Sequence, residues 1–361
     1  MNSSELRGLQ ALRGLAAMSV MLFHFRWNLN DVYPGVGDRL FGWGATGVDL
    51  FFLISGFVIT LTMQRTPTGI SGTIHFLKRR ILRIFPVYYI ILLITFLLSG
   101  AMSIFHYPDK LVNLISAILF QPVYPDHAPF YVDDGGMYGI RWTLNYEIYF
   151  YLIIGLSIFT PRRWTGIALY FLLTLFLLPV MSGYAFTLSP QGYPYASPWL
   201  GLITNPMIFL FLEGMIVGLL YPLLKKLPAK LMAVAFTGSV ILAIVIFKNN
   251  QLIGHGVTSS GLVYALMLVC IIGAEKAIGK YIPRSLVALG NISFSLYLIH
   301  TLMNTGIGKR FESLGIESGV SRFTLSVVLS LVLAWLAWRY VEQPFYAKRK
   351  GAGKWVSVAG N

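Results

Sequence analysis

Cysteine and charge are what this sequence has least of. Its 361 residues include one cysteine, Cys270, set inside the apolar run 262–273. A single thiol excludes an intramolecular disulfide, a cysteine-based zinc site and an iron–sulfur cluster. Cys270 itself reads as packing rather than as a nucleophile. Charged residues make up only 12% of the chain, against about a quarter in soluble domains, so the ordinary soluble class is excluded. Acids are scarcer still, 14 against 28 Lys and Arg. No internal repeat, low-complexity tract or linker to a second domain is present. The segment 1–8 is too short and too polar for a cleavable leader, so the first apolar run is expected to stay as a membrane helix. What fills the chain is apolar: 56% hydrophobic residues, with 25 Phe, 20 Tyr and 8 Trp to anchor many interfacial ends.

A membrane span needs roughly 20 mostly apolar residues. Ten runs qualify, at about 9–27, 46–63, 83–100, 140–160, 164–182, 203–224, 231–247, 257–274, 286–303 and 321–341. The fold class expected is therefore all-α, a polytopic helix bundle of about ten spans, with a domain over 1–345 and a basic tail over 346–361. The run 111–120 is too short to cross and reads as interfacial or re-entrant. Alternate connections hold 19 of the 28 basic residues, among them Arg65, Lys78, Arg79, Arg80 and Arg83. Cytoplasmic loops carry that excess, so both termini are expected in the cytoplasm. Asp31, Asp38, Asp109, Asp126, Asp133, Asp134, Glu312 and Glu317 fall in the opposite loops. The net charge of +14 is then a topology signal, and no nucleic-acid partner is implied.

Asp49, Glu147 and Glu213 lie inside expected spans, where an ionised group costs at least about 2.5–3.5 kcal/mol and normally pairs or lines a polar cavity. In the first span Arg13 and His24 are about three turns plus ~20° apart, on one helix face and roughly 16 Å apart along the axis. Each also has a plain structural reading, Arg13 snorkelling to headgroups and His24 at the interface. Asp49 opens the second span at the level of His24, where it either caps the helix or orients an imidazole. Trp142 and Tyr146 stand one turn apart with Glu147 just inside them; an aromatic belt explains the rings but not the acid. Ser293, Tyr297 and His300 form one polar stripe, read either as a helix contact or as part of a site. Together these residues place base, carboxylate and polar groups at one depth near the outer leaflet. On the cytoplasmic side Arg80 and Arg83 are an i, i+3 pair that either anchors to headgroups or grips phosphate. Glu213 has no assigned role. Pro344, just after Glu342, predicts that the last helix stops there.

Six segments in order resemble the acyltransferase family 3 membrane proteins, which O-acylate surface polysaccharides, O-antigens and related glycans. They are Arg13 with His24; Gly-Val-Asp-Leu-Phe-Phe-Leu-Ile-Ser-Gly at 47–56, which holds Ser55; Arg80 to Pro86; Trp142 to Phe150, with Thr143 in place of a serine; Ser293 to His300, with Phe294 in place of a tyrosine; and Glu342 to Phe345. The resemblance implies an acyl-CoA donor, most often acetyl-CoA, used as co-substrate, with no bound cofactor and no metal. It also implies a sugar hydroxyl of a glycan or lipid-linked glycan as acceptor on the outer side. The setting implied is a bacterial inner membrane, and the chain matches the stand-alone form without a fused hydrolase-like domain. Mapped onto this chain, Arg80, Arg83 and Arg13 would hold donor phosphates. His24 would act as base or acyl acceptor, Asp49 or Glu147 would orient it, and Ser55, Trp142, Tyr297 and His300 would contact substrate. The rival reading is a transporter or flippase whose charges line a permeation path.

Overall fold

In the computed structural model, residues 6–98, 101–133, 139–304 and 306–347 are described. The expected basic tail falls outside them from 348 on, as does Asp134. Every regular element among the described residues is helical. Seven helices are long and apolar enough to cross a membrane, or eight if one bent pair counts as a span. The helices used below are α1 (Arg7–Phe25), α2 (Gly47–Arg65), α3 (Ile70–Leu98), α4 (Pro108–Leu119), α5 (Arg141–Ile158), α6 (Arg163–Leu172), α7 (Ile208–Leu224), α8 (Ala229–Lys248), α9 (Leu262–Ile278), α10 (Arg284–Asn291), α11 (Ser293–Asn304) and α12 (Val320–Ala337). Two helices at expected span positions, α1 and α5, are not among the seven. Both carry polar residues instead, Arg13 and His24 in one, Asn145 and Glu147 in the other. The short run at 111–120 forms α4, 12 residues long and too short to span.

Helix is the only open-chain answer for backbone in hydrocarbon, because each N–H and C=O finds its partner within the segment. The outward faces fit that solvent. Val234 is 70% exposed and Leu97 60%, a burden in water and a normal lipid-facing surface in a bilayer.

The chain divides into two compact units, 1–60 with 211–361, and 61–210. In the first, the Glu275 carboxylate on α9 accepts from the backbone N–H groups of Arg7 and Gly8, both at 2.9 Å. That satisfies two orphan donors at the start of α1 and fixes the helix that carries Arg13 and His24. Helices α2 and α7 touch through backbone: a Cβ on Gly214 would collide with the Leu53 carbonyl, and one on Gly218 would sit 2.7 Å from Thr60 Cβ. The contacts follow the same order along both helices, so the two run parallel, as the expected topology has them.

Two expectations are corrected here. The expected continuous span 286–303 is two helices, α10 and α11, bent by 71° at Ile292. Gly290, just before the bend, packs so tightly on α1 that a Cβ would strike the Gln10 carbonyl. The last helix does not stop before Pro344. It passes through a π-helical turn, Trp338–Glu342, into a final helix, Gln343–Ala347. A π turn already interrupts the i to i−4 ladder, so the proline's missing N–H costs little there. Glu342 turns inward from it to accept a hydrogen bond from the Ser295 hydroxyl.

In the second unit α3 packs along α5. Arg141, 1% exposed, opens α5 and donates to Asn113 Oδ1 at 3.1 Å and Ser116 Oγ at 2.8 Å. It thereby clamps α4 to α5. Arg163 at the start of α6 donates to the carbonyls of Met63 and Thr66, at 2.5 and 2.9 Å, closing the C-terminal end of α2.

Candidate functional site

His24 comes one residue before the end of α1, and α11 brings His300 against it with ring centroids 4.9 Å apart. His300 is fully buried. Its Nδ1 lies 3.3 Å from the Leu296 carbonyl, and its Nε2 is buried with no hydrogen-bond partner. If Nδ1 carries the proton for that carbonyl, Nε2 is left as an acceptor inside the bundle. Tyr297 lies tilted beside His300 at 5.7 Å and meets Phe51 of α2 at 5.9 Å. Asn304 Nδ2 donates to the His24 carbonyl at 2.8 Å, closing the end of α1. The stripe read from sequence at Ser293, Tyr297 and His300 therefore lies within α11, and its C-terminal half meets His24. Arg13, held at 3.1 Å by Gln10 one turn earlier, stays on the uninterrupted α1, so its axial separation from His24 is the one expected.

Asp49 is fully buried at the start of α2, and its carboxylate takes three donors. They are His255 Nδ1 at 2.7 Å, the Gly256 N–H at 2.8 Å and Ser260 Oγ at 2.5 Å. The orienting role expected of Asp49 toward His24 is thus directed at a different imidazole. Glu213 on α7 lies within electrostatic reach of Asp49, and its buried Oε2 has no hydrogen-bond partner. Tyr264 on α9, also within reach of Asp49, hydrogen-bonds Thr46 at 2.8 Å. For His255, burial alone would lower the pKa; the charge of Asp49 and the hydrogen bond the ring donates to it outweigh that, and the net effect is a rise above 6.5.

The second unit carries the other expected residues. Glu147 accepts a hydrogen bond from Tyr151, one turn further along α5. The Tyr151 ring in turn lies under the Arg80 guanidinium at 5.1 Å, which also covers Phe76 at 5.3 Å and donates to Thr62 at 3.1 Å. Arg83 acts electrostatically on the same tyrosine. Arg80 is only 7% exposed, so it is no headgroup anchor free in the interface. Glu147 and the arginines, read from sequence as two layers, are joined here through one tyrosine. Trp142 and Tyr146 are buried, the first against Phe130 at 4.9 Å and the second donating to the Pro129 carbonyl at 2.8 Å. Rings this covered pack the interior, which rules out the aromatic belt. Ser55 is half-buried on α2.

Sequence reasoning missed His255, Ser260 and Tyr151. Tyr151 had a usable signal, an i+4 position from Glu147 on the same helix. His255 had none, because it lies in a loop 206 residues from Asp49.

Comparison with known proteins adds an independent line. A family model described as an acyltransferase domain matches residues 6–339. The exopolysaccharide production protein ExoZ of Rhizobium meliloti (strain 1021) is 26% identical over 328 residues, covering 88% of this chain and 94% of that protein. Nodulation protein 10 of Rhizobium leguminosarum bv. viciae is also 26% identical, over 95% of this chain and 94% of its own. Peptidoglycan O-acetyltransferase OatA of Listeria monocytogenes serovar 1/2a is 24% identical over 98% of this chain, which spans 60% of that longer protein. No solved structure matches.

Proposed function

This chain belongs to the acyltransferase family whose domain model covers residues 6–339, and from that premise we propose that it O-acylates a polysaccharide from within the membrane. The donor in this reading is a cytoplasmic acyl-CoA, with acetyl the acyl group, and the acceptor is a glycan hydroxyl on the outer side. The single observation that carries the reading is the His24–His300 pair, two imidazoles 4.9 Å apart in a helix bundle, one with a buried nitrogen left without a partner. Polar pairs at membrane depth are costly and mark function.

The hydroxyl oxygen attacks the thioester carbonyl carbon while His24 takes the hydroxyl proton. The carbon–sulfur bond breaks, and the thiolate leaves with its electron pair and is protonated. His24 can instead accept the acyl group first and pass it on. His300 and Tyr297 stand where an oxyanion or sugar hydroxyl needs a partner. Arg80, Arg83 and Arg13 are the candidates for the donor's phosphates, which guanidinium groups bind bidentately. Ser55 on α2 is a further candidate for substrate contact, and Glu147 acts through Tyr151.

The test is transfer of labelled acetyl from acetyl-CoA to de-O-acylated surface polysaccharide by membranes holding wild type or His24→Ala at matched levels. Labelled polysaccharide from wild type and none from His24→Ala is expected. Equal product from both removes His24 from the chemistry, and no transfer by wild type removes the function.

A further inference from the structure

Buried hydroxyls on the helices of this protein commonly return to their own backbone. Ser19 on α1 donates to the Ala16 carbonyl at 2.9 Å, Thr60 on α2 to Gly56 at 3.0 Å and Ser239 on α8 to Phe236 at 2.7 Å. That back-bond satisfies a hydroxyl in hydrocarbon without an outside partner. Three serines forgo it. Ser293 opens α11, while Ser326 and Ser330 lie on α12; none is more than 1% exposed. Each Oγ is buried with no hydrogen-bond partner among the described residues, and so is Nε2 of His300 on α11. A buried polar atom left unpaired costs about 1–3 kcal/mol, and four of them on two adjacent helices need a physical reason.

Helices α11 and α12 pack against each other. Arg322, near the start of α12, donates to the Gly308 carbonyl just past the end of α11, and Glu342, beyond the other end of α12, accepts from Ser295 near the start of α11. The two helices are therefore antiparallel. Between those ties the buried residues of α12 are Ser326, Ser330 and Ala334, one face of small side chains. That face is turned to the helices α12 packs on, chiefly α11 and also α1. Helix α11 in turn follows α1: Gly290, just ahead of it, lies against Gln10 and Gly14, and His300 lies against His24. The seam thus leads from the level of Arg13 to that of His24. Only 22% of the apolar stretch of α12 is buried, so little packing resists its moving aside.

A seam of small residues with hydroxyls one turn apart fits a thin chain bearing spaced polar groups. Serines at i and i+4 stand about 5–6 Å apart at Cβ. A pantetheine arm carries two amides separated by a β-alanine unit, about 5 Å long when extended, one methylene more than an ordinary residue. A serine hydroxyl both donates and accepts, so it pairs with either end of an amide. A polysaccharide is too wide for such a seam, and a lipid tail offers the hydroxyls nothing.

We propose that Ser326 and Ser330, with Ser293 facing them from α11, form the subsite for the pantetheine arm of the acyl donor, threaded between α11 and α12 so that its thioester arrives at His300 Nε2. This rests on the acyltransferase reading above and adds to it the residues that guide the donor.

The double variant Ser326→Ala, Ser330→Ala tests the subsite in two ways. In detergent without ligand it melts at or above the wild-type temperature, because it deletes two unpaired hydroxyls. Coenzyme A, whose arm is that of the donor, raises the transition of wild type and raises that of the variant much less. In acetyl transfer to de-O-acylated surface polysaccharide, the variant's KM for acetyl-CoA rises at least about tenfold while its KM for polysaccharide stays within about twofold. An acetyl-CoA KM within twofold of wild type overturns the subsite and leaves the enzyme reading standing. Equal rises in both KM values, or a lower transition without ligand, also overturn it, because they mark a structural role. A wild type that transfers no acetyl group overturns the function and the subsite with it.

Discussion

Two histidine sites in one unit differ in what holds the ring. His24 and His300 lean on each other, and the hydrogen bonds among them go to backbone, with the Asn304 amide on the His24 carbonyl and the Leu296 carbonyl at His300 Nδ1. His255 is gripped by a carboxylate that has no exposure of its own. An imidazole without a carboxylate is easily kept neutral and nucleophilic; one bonded to a carboxylate is a stabilised cation and a good donor.

The largest expected effect falls on the first site. His24→Ala should lower the rate of acetyl transfer about 100-fold or more, with His300→Ala closest to it, whereas His255→Ala should lower it less. A kcat loss at His255 as large as that at His24 would erase the distinction. Next comes the buried carboxylate. Asp49→Asn weakens the acceptor for three donors and should cost about 1–3 kcal/mol of stability, read as an earlier thermal transition in detergent. His255→Gln should cost less, because Gly256 and Ser260 still satisfy the acid. A smaller change, about tenfold in acetyl-CoA KM, is expected for Arg80→Lys, which keeps the charge but loses the planar group lying over Phe76 and Tyr151. Arg83→Lys should move it less.

The smallest effect is one of pH. His255 has a folded pKa raised above its ordinary 6.5. Its contribution to stability is therefore fully present below about pH 6.5 and is lost as pH rises through the folded value. The gap in thermal transition between wild type and His255→Gln should be wider at about pH 6 than at about pH 9. A gap that widens toward alkaline pH would reverse the sign and break the ion-pair account.

Much of the fold was legible because lipid asks one thing of a sequence, an apolar run long enough to cross. Each of the ten runs has a helix over it, including α1 and α5, whose polar residues keep them from qualifying on composition alone. The bend at Ile292 was not legible, since 286–303 reads as one apolar stretch; the packing of Gly290 on the α1 backbone accompanies it. Pro344 misled for a local reason, because a preceding π turn removes the hydrogen bond whose loss makes proline a helix stop. Among site residues, periodicity found His24, His300 and Tyr297, while Tyr151 went unread although it lies one turn from Glu147.

By itself the sequence determined which segments form long apolar helices and that one helix carries a cation and an imidazole on the same face. Those are consequences of apolar length and the 3.6-residue turn, both local or additive along the chain. Only the tertiary structure decided which imidazole Asp49 would hold. That choice depends on an irregular loop 206 residues away closing on a buried acid, and no periodicity connects the two.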